Sequence, residues 1–169
     1  MSHIENKFTL EVVTEDLLGR VLRIYDSNEE YFKTSMNGRA SMNTVIEDKN
    51  EIPPNSSFKN KNYKLITLNN KDVGIIDYVI DYPVEDSVYI GLFIVHGDFH
   101  RSGYGRAFIE EFTMNMKIQG YKRLRLGVLD QNVNAFNFWT RMGFKVVKEM
   151  MSTIHPERNW KIKVMERSL

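Results

Sequence analysis

The spacing of apolar positions changes several times along the chain, and each change marks an element. Phe8–Val13 is a short run that suits a strand. Leu17, Leu18, Val21, Leu22 and Tyr25 then recur at helical spacing, which predicts a helix over Asp16–Ser27. Ser27-Asn28-Glu29-Glu30 offers a cap for a second short helix through Tyr31, Phe32 and Met36, and Ser41–Asp48 reads as a third turn or helix. Asp48–Asn62 is rich in Asn, Lys, Ser and Pro, has little apolar surface to bury, and reads as a long loop.

Beyond that loop the pattern turns strand-like. Tyr63–Leu68 and Val73–Asp81 are expected as strands around Asn69–Asp72, a turn whose residues tolerate positive φ. After a second turn at Tyr82–Asp86, Val88–Val95 is apolar on both faces, as a central strand would be. Gly103–Gln119 is a helix with Tyr104, Ala107, Phe108, Phe112 and Met116 on one side, stopped at Gly120. Leu124–Leu129 is a strand; Asn132–Met142 is a helix whose stripe is Ala135, Phe138, Trp139 and Met142, closed by Gly143. Phe144–Met150 and Trp160–Glu166 finish as strands. The order β-α-α-β-β-β-α-β-α-β-β predicts an α/β (mixed α+β) fold. Its centre would be a mixed, mostly antiparallel twisted sheet of about seven strands with helices on both faces.

Length and composition narrow the classes. At 169 residues the chain supports one core and a single domain over 1–169. The loop Asp48–Asn62 is no domain boundary, because the residues before it are too few for an independent core. With 23 Lys plus Arg against 22 Asp plus Glu, no general attraction for nucleic acid or an anionic membrane is expected. There is no cysteine, so disulfides, thiolate metal sites, iron–sulfur clusters and a Cys nucleophile are excluded. The first residues lack the apolar core of a signal peptide, and the longest apolar run, Val88–Val95, is far short of the roughly 20 residues that span a bilayer. A soluble, cytoplasmic protein is expected.

The chemistry concentrates in Leu92–Phe108, LFIVHGDFHRSGYGRAF. A buried strand runs into Gly97-Asp98, a basic pair, Gly103-Tyr104-Gly105 and an amphipathic helix. The glycines permit close backbone approach, and the helix start presents unpaired N–H groups and a positive dipole end. Together they make an anion site suited to phosphates, with Arg101 and Arg106 beside it. A dinucleotide fingerprint would need glycine where Phe108 stands, and a Walker loop would need Gly-Lys-Ser/Thr; both are absent. Gly-x-Gly alone remains compatible with a plain strand-to-helix turn.

A second segment, Val128–Phe144, carries Asn132, Ala135, the aromatic pair Phe138-Trp139, Arg141 and Gly143-Phe144. With it the sequence resembles the GNAT superfamily of acyl-CoA-dependent N-acyltransferases. The family's phosphate loop, Arg/Gln-x-x-Gly-x-Gly/Ala, falls on His100, Gly103 and Gly105; its downstream motif falls on Asn132 through Phe144. Order and spacing agree across residues 63–167. The resemblance implies acetyl-CoA as cofactor, an acetyltransferase activity, and main-chain amides of Arg101, Ser102, Gly103, Tyr104, Gly105 and Arg106 around the pyrophosphate. It further implies pantetheine along Phe93, Ile94 and Val95, Asn132 as pantetheine ligand or helix cap, and Ala135, Phe138 and Arg141 flanking the cofactor. Two residues depart from the pattern. His100 replaces the usual Arg or Gln, so its charge depends on pH. Trp139 replaces the Tyr that protonates the leaving thiolate in many members, and indole N–H is no usable acid near neutral pH.

The implied reaction is attack of a neutral amine on a thioester, and an alkylamine is mostly protonated at pH 7, so a base is needed. Asp77 is the first candidate because it interrupts the line Val73, Ile75, Val79; a solvated Asp explains it equally well. Tyr31, Phe32 and Tyr89 are candidate walls of an acceptor pocket, or simply core, as are Met36 and Tyr78. His3, His96, His100 and His155 have no metal-ligand spacing, and no metal is expected. The expected function is transfer of acetyl from acetyl-CoA to a primary amine of a small molecule, by direct attack in a ternary complex. Acetylation of a protein N-terminus or Lys, and non-catalytic acyl-CoA binding, are the alternatives. The resemblance leaves a homodimer open.

Overall fold

The computed structural model describes residues 7–36, 38–153 and 156–169, with the side chains of 34–36 outside the described set. The side chain of Met36, and His3 and His155, therefore lie outside the described residues. The elements are β1 (Thr9–Val12), α1 (Leu18–Asp26), α2 (Glu29–Met36), α3 (Met42–Asn50), β2 (Lys61–Leu68), β3 (Lys71–Ile80) and β4 (Ser87–Val95). There follow α4 (Tyr104–Ile118), β5 (Arg123–Leu129), α5 (Val133–Arg141), β6 (Lys145–Met151) and β7 (Lys161–Ser168). The strands form one seven-stranded sheet in the order β1-β2-β3-β4-β5-β7-β6. The sheet is mixed: β1–β2, β5–β7 and β6–β7 pair antiparallel, and β4–β5 pair parallel. β4 is fourth of the seven, as its two apolar faces predict.

By compactness the chain divides into Met1–Tyr78 with Leu92–Phe108, and Val79–Gly91 with Ile109–Leu169. In the first unit, Val21, Ile24 and Tyr25 of α1 pack in one cluster with Phe32, Val45, Tyr63, Leu65, Ile75 and Ile94. The two-residue turn Asn69-Asn70 joins β2 to β3 with both residues at positive φ, the backbone a tight hairpin favours. Ser41 caps α3 by a reciprocal pair: Thr44 N–H donates to Ser41 Oγ, and Ser41 N–H to Thr44 Oγ1. The segment Asp48–Asn62 is shorter as a loop than its composition predicts. α3 runs to Asn50, a 3-10 turn covers Phe58–Asn60, and Lys61 already begins β2.

In the second unit, Leu124, Leu126 and Val128 alternate into the interior from β5, and Val164 and Met165 are buried on β7. Gly120 and Gly143 stop α4 and α5 with φ of +95° and +88°, the left-handed conformation expected after a helix end.

Candidate active site

In the first unit the glycine-bearing loop follows β4 directly. A 3-10 turn at Gly97–Phe99 leads to Arg101 (φ +59°) and Gly103 (φ +85°), and α4 begins at Tyr104. The loop is tied back to its own strand. Asn28 Nδ2 and His100 Nε2 both donate to the Val95 carbonyl, at 3.0 and 2.8 Å. Gly97 N–H donates to Ser27 Oγ (2.9 Å), Asp98 N–H to His96 Nδ1 (3.0 Å), and Ser102 Oγ–H to the Phe99 carbonyl. The Nε2 of His100 is thus engaged by main chain, and that nitrogen carries its proton because a carbonyl only accepts. His100, Arg101, Ser102 and Gly103 are exposed.

This loop fits a phosphate group. His100 and Ser102 N–H bond back to Gly97 and Phe99, and Ala107 N–H opens the helix on Gly103 O. The amides of Gly103 and Gly105 have no acceptor among the described residues. A Cβ on Gly103 would meet nothing within 4 Å, so positive φ calls for glycine there and the space above the loop is open. Below the loop, Phe93 stacks on Phe108 with centroids 5.6 Å apart.

The second unit holds the other half of the motif. The parallel β4–β5 ladder runs from Ser87↔Arg123 to Ile90↔Leu126. In the first unit, Phe93 and Val95 are half-buried and Ile94 is buried. Asn132 is the N-cap of α5, its side chain accepting from Ala135 N–H at 3.1 Å. Ala135 and Phe138 are half-buried and Arg141 is exposed. Trp139 is 7% exposed and sits edge-on between Phe138 and Phe144, centroids 4.9 and 5.1 Å away. Tyr89 is half-buried on β4, edge-on to Tyr82. A Cβ on Gly127 would lie 3.5 Å from its hydroxyl, so that glycine leaves the phenol its room.

Asp77 is neither solvated nor isolated. Its side chain is 13% exposed, and Oδ2 accepts from Lys61 Nζ at 2.9 Å. Oδ1 is buried with no hydrogen-bond partner among the described residues. Burial pushes the Asp77 carboxyl up to about 6, against the hydrogen bond and charge of Lys61, which act to lower it. Nearby, Tyr25 donates to Asp48 Oδ2 (2.7 Å), and the Tyr25 and Tyr63 hydroxyls are 2.5 Å apart. Burial raises both phenols and the Asp48 carboxyl. Phe32 is 2% exposed and stacks on Tyr25 at 4.8 Å, while Tyr31 is 38% exposed. Tyr78 is buried, with Lys64 Nζ 5.7 Å over its ring. No group of ligating side chains suits a metal ion among the described residues. Lys61, Asp48, Tyr25 and Tyr63 escaped the sequence reading. Lys61 stood in a stretch that looked like a solvated loop, and the tyrosines looked like ordinary core.

The model of the acetyltransferase (GNAT) family matches residues 23–144. The chain belongs to the GNAT acetyltransferase family. It is a member of an enzyme family whose acyl donor is acetyl-CoA. Solved structures share this GNAT fold from end to end. An acetyltransferase from Thermus thermophilus is 23% identical with a TM-score of 0.77, covering 96% of this chain and 97% of that one. The ribosomal-protein-S18-alanine N-acetyltransferase of Escherichia coli is 17% identical with a TM-score of 0.66, over 96% and 94%. A Bacillus subtilis acetyltransferase in complex with CoA is 11% identical with a TM-score of 0.61, over 96% and 98%.

Proposed function

We propose that residues 1–169 form one acetyltransferase domain that acetylates a primary amine of a small molecule, by direct attack in a ternary complex. The observation that carries the reading is the recessed Asp77 carboxylate, with one oxygen engaged by Lys61 and the other unpartnered. A carboxylate with a value near 6 is ionised at pH 7 and basic enough to receive a proton from an incoming ammonium at Oδ1. With only 13% of its side chain exposed, Asp77 is better suited to a slender amine than to a folded protein surface. Acetylation of a protein N-terminus or Lys side chain is the alternative acceptor, in keeping with the activity named for the Escherichia coli neighbour.

Acetyl-CoA supplies, when bound, an acetyl group on a thiol that can leave as thiolate. The amides of Gly103 and Gly105, with Arg101, Ser102, Tyr104 and Arg106 around them, would hold its phosphates. Phe93, Ile94 and Val95 would offer main chain to pantetheine; Val95 N–H is the group to do so, since its carbonyl is already shared by Asn28 and His100. Asn132 acts by ordering the start of α5, with Ala135, Phe138 and Arg141 along that helix. Trp139 contributes packing and no proton. Tyr31 would meet the acceptor, while Tyr89 packs edge-on against Tyr82.

The test is incubation of the pure protein with acetyl-CoA and a panel of small amines and peptides, following free thiol. Turnover confined to peptides moves the assignment to the protein acceptor. A thermal shift with acetyl-CoA but no thiol release on any acceptor overturns catalysis in favour of binding alone.

A further inference from the structure

We infer that Lys61 is a positioning residue for Asp77: its ammonium, anchored on the end of α3, holds Asp77 Oδ2 and so leaves Oδ1 as the oxygen that exchanges a proton. The inference rests on Asp77 being the base, and it adds what sets that base in place.

An ammonium has three N–H groups. Those of Lys61 go to the Asp48 carbonyl (2.6 Å), the Glu51 carbonyl (2.6 Å) and Asp77 Oδ2 (2.9 Å). The two carbonyls belong to the last turn and C-cap of α3, where main-chain acceptors have no partner within the helix. Lys61 therefore caps α3 from a neighbouring strand, and the cap fixes Nζ independently of Asp77. With a side chain 4% exposed and every donor used, Lys61 has none to offer a substrate. It can act on chemistry only through the carboxylate.

The titratable groups facing Asp77 come from two elements. β2 supplies the Lys61 charge and the neutral Tyr63 hydroxyl; the end of α3 supplies Asp48 and Glu51. Lys61 favours the ionised carboxylate, while burial, Asp48 and Glu51 oppose it. Removing the cation leaves only the opposing influences, so the proton is held more tightly. A bare helix cap makes no such demand; its loss would lower stability and leave the ionisation of Asp77 alone.

The experiment is a pH profile of kcat/KM in the full chain, paired with a carbon NMR titration of the Asp77 carboxyl. Lys61→Gln keeps donors for the α3 carbonyls and removes the charge. Its Asp77 midpoint should rise by at least one pH unit, so that kcat/KM at pH 6 falls at least about tenfold relative to its own plateau. Lys61→Arg keeps the charge and should hold the midpoint near that of the native chain. A folded Lys61→Gln with an unmoved midpoint overturns the inference, as does an Arg variant that shifts equally far. Should Lys61→Gln not fold, the native chain still decides: the Lys61 ammonium resonance must follow the same midpoint as the Asp77 carboxyl, and two separate midpoints overturn the coupling. Failure of the base assignment is distinguishable, because full activity in Asp77→Asn would sink that reading and leave the titration untouched.

Discussion

The hydroxyls of Tyr25 and Tyr63 lie 2.5 Å apart, and the Tyr25 hydroxyl already donates to Asp48. Since each phenol has one proton, Tyr63 must donate to Tyr25, and the chain of bonds ends on the carboxylate. Tyr63→Phe removes the outer link only and should cost on the order of 1 kcal/mol. Tyr25→Phe strips Asp48 of its donor and orphans the Tyr63 hydroxyl, so the loss should be larger, about 2–3 kcal/mol. Urea unfolding of the two variants checks the order.

Asp77→Asn keeps the shape of the side chain and removes the proposed base. The expected result is a fall in kcat of at least about a hundredfold, the low end of what a positioned general base contributes. The melting-temperature rise on adding acetyl-CoA should persist, since the loop proposed to hold the phosphates is not altered. Loss of both together would mean the substitution has disturbed the fold.

The same carboxyl makes stability depend on pH. Its folded value of about 6 exceeds the ordinary 3.8, so between those values the folded protein holds a proton that the unfolded chain has released. Asp77 therefore favours the folded state below about pH 4, and that contribution is lost as pH rises to 6. The change is of order 2–3 kcal/mol. Asp77→Asn cannot titrate, so its stability relative to the native chain should improve from pH 4 to pH 6 and then level off. Unfolding curves at pH 4, 5, 6 and 7 measure this.

Two glycines should respond differently to a single methyl group. At Gly103 there is open space, and Gly103→Ala meets only the strain of positive φ, about 1 kcal/mol. At Gly74 a Cβ would overlap the Ile94 carbonyl, so β3 or β4 must move. Gly74→Ala should therefore cost more, about 1–3 kcal/mol. Gly103→Val should also abolish the cofactor-dependent thermal shift if the loop holds the phosphates.

Where a local rule governs the backbone, the sequence was legible. Asn69-Asn70, Gly120 and Gly143 sit at the positive φ that their residue types allow, and Asn132 caps the helix that its position implied. The unbroken apolar run of β4 marked it as central. The Lys61–Asp77 pair was not legible, because it joins strands sixteen residues apart in sequence and is selected by burial, which no spacing rule reports. Phe32 and Tyr31 show the same limit from the other side. Adjacent in sequence and both aromatic, one is enclosed against Tyr25 and the other reaches solvent.

If the loop after β4 holds the phosphates as proposed, the bonds that tie His100, Gly97 and Asn28 to their surroundings also bear on affinity. A loop free to wander would have to give up its conformational freedom each time a ligand arrived. Here much of that ordering is completed during folding, by contacts inside the protein. Binding then draws less on entropy, and substitutions at Ser27 or Asn28 should weaken the cofactor without touching it.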